Sequence, residues 1–215
     1  MKPKIKIEIF SILLLVISWA AAFYFYAHFP DRVVTHWNYA GVPNGWSGKA
    51  FGAFFLPPLL TVMYLMFLVL PLLDPKKERY AEFAKTYSIF RFFILLAMTV
   101  IYFVASLNNL GYNFDVGIFV TGAIGLLFIV LGNYFGKIKP NWFVGIRTPW
   151  TLSSETVWNK THRFGGKVFI LGGILLFLSS VAPTSWRLPI FIVDIMMLTL
   201  GTIVYSYIVY RQEKK

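Results

Sequence analysis

Long apolar segments alternate with short polar ones along almost the whole chain. Six of them have the roughly 20 mostly apolar residues that a membrane-crossing helix requires. They cover residues 7–28, 51–73, 87–109, 115–136, 167–183 and 188–210. The third and fourth segments, and the fifth and sixth, are joined by very short connections, which predicts tight helical hairpins. The pattern is that of an all-α integral membrane protein with six transmembrane helices.

Three of the segments carry features that refine this prediction. The first follows a charged start, Met1–Lys6, but its apolar run is too long for a signal peptide and no small-residue cleavage site precedes the polar loop, so it is interpreted as a membrane anchor. Pro57 and Pro58 remove two backbone donors and predict a kink in the second helix. The fifth segment is short and contains Gly172-Gly173, and its helix is expected to start at or before Lys167.

Positive side chains set the predicted orientation, because Lys and Arg collect in the cytoplasmic loops of membrane proteins. With the N-terminus placed inside, 17 of the 20 Lys and Arg residues fall on the inner side, and Arg32, Lys49 and Arg187 fall outside. The inner residues are Lys2, Lys4, Lys6, Lys76, Lys77, Arg79, Lys85, Arg91, Lys137, Lys139, Arg147, Lys160, Arg163, Lys167, Arg211, Lys214 and Lys215. We therefore predict that both termini are cytoplasmic.

Composition agrees with a membrane location and excludes several kinds of site. Hydrophobic residues make up 58% of the chain and charged residues 13%, whereas about a quarter of the residues of soluble domains are charged. The net charge of +11 follows from the inner basic loops and their attraction to anionic lipid headgroups, so it does not indicate direct nucleic-acid binding. The absence of cysteine excludes disulfides, thiolate metal sites and cysteine nucleophiles.

Small residues recur on one face of the fourth segment. Gly117, Thr121 and Gly125 are spaced by four residues, and Gly132 and Gly136 repeat that spacing. Such residues let helices approach closely in lipid, which predicts a packing seam inside the bundle. A homodimer interface through Gly117, Thr121 and Gly125 is the other interpretation.

Two carboxylates lie in or beside the apolar segments. Asp194 is predicted to lie about 9–10 Å below the outer interface, at 1.5 Å of rise per residue. An intramembrane carboxylate is a functional candidate by default, and a hydrogen bond to a neighbouring helix is the alternative. Glu8, near the inner end of the first segment, is expected to pair with a nearby lysine.

The outer loop, residues 29–50, is rich in specific side chains. Residues 33–37 alternate weakly as a short strand does, and the sequence Pro43-Asn44-Gly45 is a turn signal. His28, Asp31 and His36 are metal-ligand types without a recognised ligand spacing; ordinary hydrogen bonding, or titration of a histidine on local acidification, are the other interpretations. Trp37 and Trp46 suit the headgroup level. The residues predicted to contact a ligand or peptide are Asp31, Thr35, His36, Trp37, Asn38 and Trp46.

The inner loop, residues 137–167, is predicted to be a structured interfacial segment. Thr148 suits a helix N-cap followed by Pro149, and Ser153 or Ser154 suits the cap of a second short helix with Glu155 in its first turn. In that helix Trp158 and His162 share one face. Ser153, Ser154, Glu155 and His162 include the residue types of a hydrolase triad, but no motif orients them. The residues predicted to contact lipid headgroups or a partner are Asn141, Trp142, Arg147, Trp150, Trp158, His162 and Arg163.

Two groups of residues resemble the signatures of the SdpI family of bacterial membrane proteins. The first comprises Pro30, Thr35-His36-Trp37-Asn38 and Gly41-x-Pro43-x-Gly45-Trp46. The second, which is longer and more specific, runs from Gly132 to Leu152 through Asn141-Trp142-Phe143-x-Gly145-Ile146-Arg147-Thr148-Pro149-Trp150 and continues with Trp158, Thr161-His162-Arg163 and Gly165-Gly166.

The resemblance implies a multi-pass protein of the bacterial plasma membrane that acts in immunity and signal transduction, without enzymatic activity, cofactor or metal. Its expected partners are membrane lipids, a secreted antimicrobial peptide met outside and a cytoplasmic repressor docked inside. It also implies a two-helix module over residues 1–86 and an SdpI-like four-helix module over 87–215. The alternatives are an enzyme that acts on lipid or peptide at the inner loop, and a small transporter that uses Asp194 as its ion or proton site.

Overall fold

The computed structural model describes residues 5–214, and six helical stretches in that range are long and apolar enough to cross a membrane. They are Lys6–His28, Lys49–Leu73, Ala84–Asn109, Val116–Phe135, Glu155–Ser179 and Thr184–Glu213. The predicted number of transmembrane helices is therefore confirmed. The sidedness of the termini stays a prediction, and Lys2, Lys4 and Lys215, which contributed to it, lie outside the described residues.

The described part of the chain forms α-helices and one β-hairpin. The helices are α1 (Ile5–His28), α2 (Lys49–Phe54), α3 (Leu56–Leu73), α4 (Ala84–Asn109), α5 (Val116–Phe135), α6 (Pro149–Ser153), α7 (Glu155–Ser179), α8 (Thr184–Met196) and α9 (Thr202–Glu213). A 3₁₀ turn occupies Lys77–Ala81, and a π-helical turn, Met197–Gly201, joins α8 to α9. Strands β1 (Arg32–Trp37) and β2 (Pro43–Gly48) pair antiparallel and follow α1.

Successive membrane crossings run in opposite directions, so the bundle has two distinct ends. Phe90 of α4 stacks on Phe135 at the far end of α5, and Phe164 in the first half of α7 stacks on Tyr205 in the second half of the sixth crossing. The end that carries β1 and β2 is called the hairpin end. The opposite end, which carries the loop between α5 and α7, is called the basic end, because the chain's cationic residues are concentrated there.

The hairpin turns earlier than the sequence predicted. Residues 32–37 form the expected strand, but Pro43, Asn44 and Gly45 belong to β2 instead of the turn. The chain reverses at residues 38–42, where Gly41 has a φ of +77° and the Asn38 side-chain oxygen accepts hydrogen bonds from the backbone N–H groups of Ala40 and Val42. The Asn-Gly turn signal was therefore wrong here, because Asn38 closes the turn with its own side chain.

The proline-rich second crossing breaks where the sequence predicted a kink. Helix α2 ends at Phe54 and α3 begins at Leu56, with Pro57 in its first turn. Because Pro57 has no N–H, the carbonyl of Ala53 lacks its usual helical donor. The hydroxyl of Tyr102 on α4 donates to that carbonyl at 2.7 Å. A backbone acceptor that lipid cannot satisfy is thus satisfied by a neighbouring helix.

A second tyrosine hydroxyl satisfies a carbonyl released by a proline nearer the basic end. Pro71 lies inside α3 and leaves the carbonyl of Phe67 without an intrahelical donor. The hydroxyl of Tyr87, also on α4, donates to this carbonyl at 2.7 Å. Two tyrosines of α4 therefore hold the interrupted second crossing, and both contacts require α4 and the α2–α3 crossing to be antiparallel.

Helices α5 and α7 share the most extensive helix–helix contact in the described bundle. A Cβ atom on Gly125 would lie 2.7 Å from the carbonyl oxygen of Gly173, and one on Gly132 would lie 2.7 Å from that of Gly166. The predicted packing seam is confirmed at Gly125 and Gly132, and its partner there is α7, whereas Gly117 and Thr121 line a cavity described below. A homodimer through Gly117, Thr121 and Gly125 stays a prediction, but Gly125 is covered by α7 within one chain.

The fifth crossing begins twelve residues earlier than the predicted bound of residue 167 and ends at Ser179. Thr148 and Ser154 cap α6 and α7 as expected, with their side chains accepting from the backbone N–H groups of Thr151 and Val157. The helix after Ser154 is not the short interfacial one that was predicted, because it continues into the membrane as α7. Residues 155–167 of the predicted inner loop therefore belong to the fifth crossing.

An ion pair inside the bundle replaces the contact predicted for Glu8. The Glu8 carboxylate pairs with the guanidinium of Arg91 on α4, which is fully buried, and accepts a hydrogen bond from the Tyr64 hydroxyl at 3.0 Å. The expected lysine partner was wrong, because α4 places Arg91 beside the first turns of α1. The pair ties α1 to α3 and α4 within the apolar layer, where separated charges are strongly unfavourable.

The charge-based orientation can be tested with single cysteines, since the natural chain has none. Val42 and Lys160 are exposed at the hairpin and basic ends, respectively. On intact cells, a membrane-impermeant maleimide should label Val42→Cys, and it should label Lys160→Cys only after permeabilisation. Labelling in the reverse order would contradict the predicted topology.

The tyrosine contacts predict a specific double-mutant result. Tyr87→Phe leaves the Phe67 carbonyl without a donor and should lower the free energy of unfolding by about 1–3 kcal/mol, the cost of a buried unsatisfied group. In a Pro71→Ala background the restored N–H serves that carbonyl, so the same substitution should cost much less. Unfolding in detergent micelles measures both losses, with the exposed Tyr112→Phe as the control. Equal losses in the two backgrounds would contradict this account.

Candidate functional site

A cavity of about 950 Å³ opens between the hairpin and the transmembrane helices. Its wall includes β1, both pieces of the second crossing, and helices α4, α5, α7 and α8. Most of the lining is apolar, as at Ile101, Val120 and Phe191, and the polar groups include Thr121 and Ser179. Sites for small molecules have this combination of size, apolar lining and few polar groups. The cavity is therefore the candidate ligand site of the bundle.

Asn109, the last residue of α4, fixes the hairpin over this cavity. Its side-chain oxygen accepts from the backbone N–H of Val34 at 2.7 Å, and its side-chain nitrogen donates to the backbone carbonyls of Val34 at 2.9 Å and Ala105 at 3.0 Å. The amide thus occupies the place that a neighbouring strand would take along β1. Hydrogen bonds to both backbone groups of one residue define the strand's position as well as its orientation.

Val33 anchors the hairpin by packing. Its side chain is buried against Phe25, Phe29 and Tyr102. Gly52 of α2 lies so close that a Cβ atom there would collide with the Val33 side chain. Because side chains alternate along a strand, burial of Val33 directs its neighbours Val34 and Arg32 away from this cluster.

The structure brings four of the six predicted outer-loop residues to the cavity. Thr35, His36, Trp37 and Asn38 line it. Asp31 forms an exposed ion pair with Lys49 at 3.1 Å, and Trp46 is half exposed; neither is among the lining residues. Whether any of the six contacts a ligand stays a prediction.

The three metal-ligand types of the outer loop do not converge. The ring of His28 stacks on Tyr24 and its Nδ1 lies 2.7 Å from the carbonyl of that residue, while His36 is hydrogen-bonded to Asn44. No group of three or more potential metal ligands is found among residues 5–214. Ordinary hydrogen bonding, one of the sequence interpretations, describes these histidines, and a response to local acidification stays a prediction.

The sequence analysis did not predict an ion pair that lies at the cavity rim. Arg187 of α8 lines the cavity and donates to the Asp115 carboxylate at 3.0 Å, and Asp115 also caps α5 by accepting from the backbone N–H of Ile118. The sequence did contain a signal for one half of this pair, because an aspartate directly before an apolar helical run is a typical N-cap. It contained none for the partner on α8.

At the basic end, His162 is a structural residue. It is fully buried and stacks on Trp158 at 4.1 Å between ring centroids. One ring nitrogen lies 2.8 Å from the Trp158 carbonyl, to which it donates, and the other accepts from the Ile146 N–H at 3.0 Å. Since one nitrogen donates and the other accepts, the ring is neutral and both nitrogens are occupied. His162 consequently has no free nitrogen for acid–base chemistry.

A buried polar network shapes the loop between α5 and α6. Asn141 accepts from the backbone N–H groups of Phe143 and Val144, and the Asp74 carboxylate accepts from the N–H of Trp142 at 2.9 Å and from the Tyr80 hydroxyl at 3.0 Å. Burial, followed by the hydrogen bond to Asp74, raises the pKa of Tyr80 above its ordinary value, so the hydroxyl stays a donor. Asp74 received no role in the sequence analysis, because its partner Trp142 lies 68 residues away along the chain.

The predicted inner-loop residues divide into buried and exposed sets. Asn141, Trp158 and His162 are buried inside the protein. Trp142, Arg147 and Arg163 are exposed, and Trp150 is partly covered by Tyr207. The exposed set provides the cationic and aromatic surface that a headgroup or partner would meet, and the buried set holds the loop in shape.

The residues considered for catalysis have other partners. The Ser153 hydroxyl donates to the Trp150 carbonyl, and the Ser154 hydroxyl caps α7. Glu155 pairs with Arg79. None of Arg147, His162 and Asp194 lines the cavity at the hairpin end.

Because Asn109 holds the hairpin against α4, its removal should make the hairpin amides exchange with solvent more rapidly. Asn109→Ala removes two hydrogen bonds between α4 and the hairpin; at about 1 kcal/mol each this raises opening of the hairpin roughly 30-fold. Hydrogen–deuterium exchange over residues 32–48 in lipid nanodiscs measures the change. The neighbouring Asn108, whose side chain contacts the carbonyls of Tyr112 and Phe114, is the matched control. The same increase in Asn108→Ala, or no increase in Asn109→Ala, would contradict the assignment.

Comparisons with known proteins agree with these two structured ends. The SdpI/YfhL protein family matches residues 137–208, and a domain of unknown function, DUF1648, matches residues 13–61, which include the hairpin. Immunity protein SdpI of Bacillus subtilis (strain 168) is 25% identical over 207 residues, which cover 96% of this chain and 97% of that protein. No solved structure matches the chain. The division into modules at residue 86 stays a prediction. The chain is a multi-pass bacterial membrane protein that is similar to the SdpI/YfhL family over residues 137–208 and to Immunity protein SdpI over nearly its full length.

Proposed function

We propose that this protein confers immunity by binding a secreted antimicrobial peptide at the hairpin-end cavity and passing that event to a cytoplasmic partner at the basic end. The similarity to Immunity protein SdpI of Bacillus subtilis supports the immunity role. The main support for this binding site is that β1 and five of the six membrane crossings contribute to the wall of one cavity. The charge distribution favours an outer position for the hairpin end, where a secreted peptide would reach the cavity.

The cavity's chemistry suits part of a membrane-active peptide. Its wall is mainly apolar, so it favours an apolar side chain or segment of the ligand. At the rim, Arg187 and Asp115 offer both signs of charge, and Thr35 and His36 of β1 offer hydrogen-bonding side chains. A peptide that inserts its apolar part into the outer leaflet would meet this opening laterally from the membrane.

The helices that line the cavity also reach the basic end, which provides a physical route for signalling. Helix α5 leads directly into the loop held by Asn141, and α7 begins beside that loop at Glu155. A ligand that fits the cavity better in one spacing of these helices shifts the population toward that spacing. The exposed Trp142, Arg147 and Arg163 would then present a different surface to a repressor with an acidic face.

The absence of enzymatic activity belongs to the same proposal. The buried, doubly hydrogen-bonded His162 and the capping Ser154 favour structural roles for the triad-type residues. Variants at His162 should therefore lose folded protein, instead of retaining a folded but inactive chain.

A survival assay tests the proposed immunity. The chain is expressed in a Bacillus subtilis strain that lacks Immunity protein SdpI, and cells are challenged with culture fluid from the parent strain or from the organism that encodes this chain. Expression should raise survival above that of the empty vector. Val120→Trp, which places an indole in the space that a ligand would occupy, should weaken peptide binding roughly 10- to 100-fold and remove most of the protection.

Leu126→Trp on the same helix is the control, because Leu126 is exposed on the lipid side. Membrane levels of both variants are measured by immunoblot so that loss of protein is not mistaken for loss of binding. Survival no better than the empty vector with either fluid would overturn the proposal. Equal protection by Val120→Trp and the parent chain would show that the cavity is not the binding site.

A further inference from the structure

Asp194 occupies an unusual position on α8. Helix α8 begins at Thr184, so Asp194 lies ten residues, about 15 Å, from the hairpin end of the crossing, deeper than the sequence predicted. Its relative exposure is 0%, and neither carboxyl oxygen has a hydrogen-bond partner among residues 5–214. By contrast, Glu8 of α1 and Asp115 at the start of α5 are paired with arginines.

The site around the carboxyl group is built by a glycine. Asp194 faces Gly172 of α7, where a Cβ atom would collide with the Asp194 carboxyl group. Any other residue at position 172 would fill this space. Gly172 thus leaves room for a polar group at a helix–helix contact that is otherwise apolar.

Within residues 5–214, no cation compensates a negative charge at this place. Helix α8 packs against α7 and the π-helical turn, and that turn contains no titratable residue. On α7 the titratable residues all lie toward the basic end, and the nearest is the exposed Lys167, five residues before Gly172. On α8 itself Arg187 is two turns away and is paired with Asp115. An unpaired carboxylate in an apolar layer is strongly unfavourable, so the group is stable here when it carries a proton.

The cavity lies directly above this carboxyl group. Leu176 and Ser179, one and two turns beyond Gly172 on α7, line the cavity, as does Phe191, one turn before Asp194 on α8. Asp194 is therefore about one helical turn, roughly 5 Å, below the cavity floor. The π-helical turn that follows it, Met197–Gly201, interrupts the regular hydrogen bonding of the crossing, a feature frequent at functional sites.

We propose that Asp194 is a proton-binding site that exchanges its proton with the outer aqueous phase through the hairpin-end cavity. Release of the proton leaves a carboxylate that requires water, and the cavity is the nearest space from which water can enter the α7–α8 contact. Ionisation would thus separate α8 from Gly172, next to the π-helical turn. This site is distinct from peptide binding and does not depend on it.

Dicyclohexylcarbodiimide tests the proposal, because it enters membranes and reacts with protonated carboxyl groups. The acid protonates a carbodiimide nitrogen, and its carboxylate oxygen adds to the central carbon to give a stable adduct after rearrangement. Right-side-out vesicles containing the full chain are treated at different external and internal pH values, and adducts are mapped by mass spectrometry. We expect labelling of Asp194 that falls at least several-fold when the external medium becomes alkaline and does not change with internal pH.

Glu8 and Asp115 in the same sample are the internal controls, since their pairing with arginine should leave them unlabelled. Asp194→Glu should keep the adduct and Asp194→Asn should lose it; if Asp194→Asn fails to fold, fragment mapping in the natural chain still locates the adduct. The proposal would be overturned by the absence of an Asp194 adduct at every pH. It would equally be overturned by equal labelling of all three carboxyl groups, or by labelling that follows internal pH or neither pH.

Discussion

A backbone N–H or carbonyl in the apolar layer of a membrane has no water to bind, so each one needs a partner within the protein. Regular helices meet this requirement by themselves, and two interruptions of the second crossing are satisfied by side chains of a neighbouring helix. The carbonyls released by Pro57 and Pro71 are satisfied by Tyr102 and Tyr87. Helix α4 carries both tyrosines, and it therefore holds together the half of the bundle that surrounds the interrupted second crossing.

The same requirement explains how non-helical elements are tolerated at the two ends. At the hairpin end, the Asn109 side chain pairs with both backbone groups of Val34 as a third strand would. At the basic end, Asn141 and Asp74 bind the backbone N–H groups of the loop that follows α5. Side chains of the same chain therefore hold the backbone at both ends. Ends held in this way and joined by α5 and α7 suit a protein in which an event at one end changes the other.

Charges within the bundle obey a related rule with one exception. Arg91 with Glu8, and Arg187 with Asp115, form pairs that join different crossings and neutralise each other where water is scarce. Removal of one partner from such a pair would leave an uncompensated buried charge, which is strongly destabilising. Asp194 has no partner of this kind among the described residues, and the space beside Gly172 accommodates its carboxyl group. Glu8 and Asp115 therefore have structural roles as ion-pair partners, whereas the unpaired Asp194 is the carboxyl group suited to a function.

The sequence by itself determined the number of crossings, the concentration of basic residues at one end and the caps at Thr148 and Ser154. These properties depend on hydropathy, charge and spacing between near neighbours, and all three can be read along one dimension. The tertiary structure decided that Asn109 meets Val34, 75 residues away, that His162 is buried instead of exposed, and that Asp194 lies beside Gly172. Those outcomes depend on which helix faces which, and many pairings of apolar helices are compatible with the same hydropathy. Close approach at Gly125, Gly132, Gly166 and Gly173 selects one of them, because only glycines let α5 and α7 come together there.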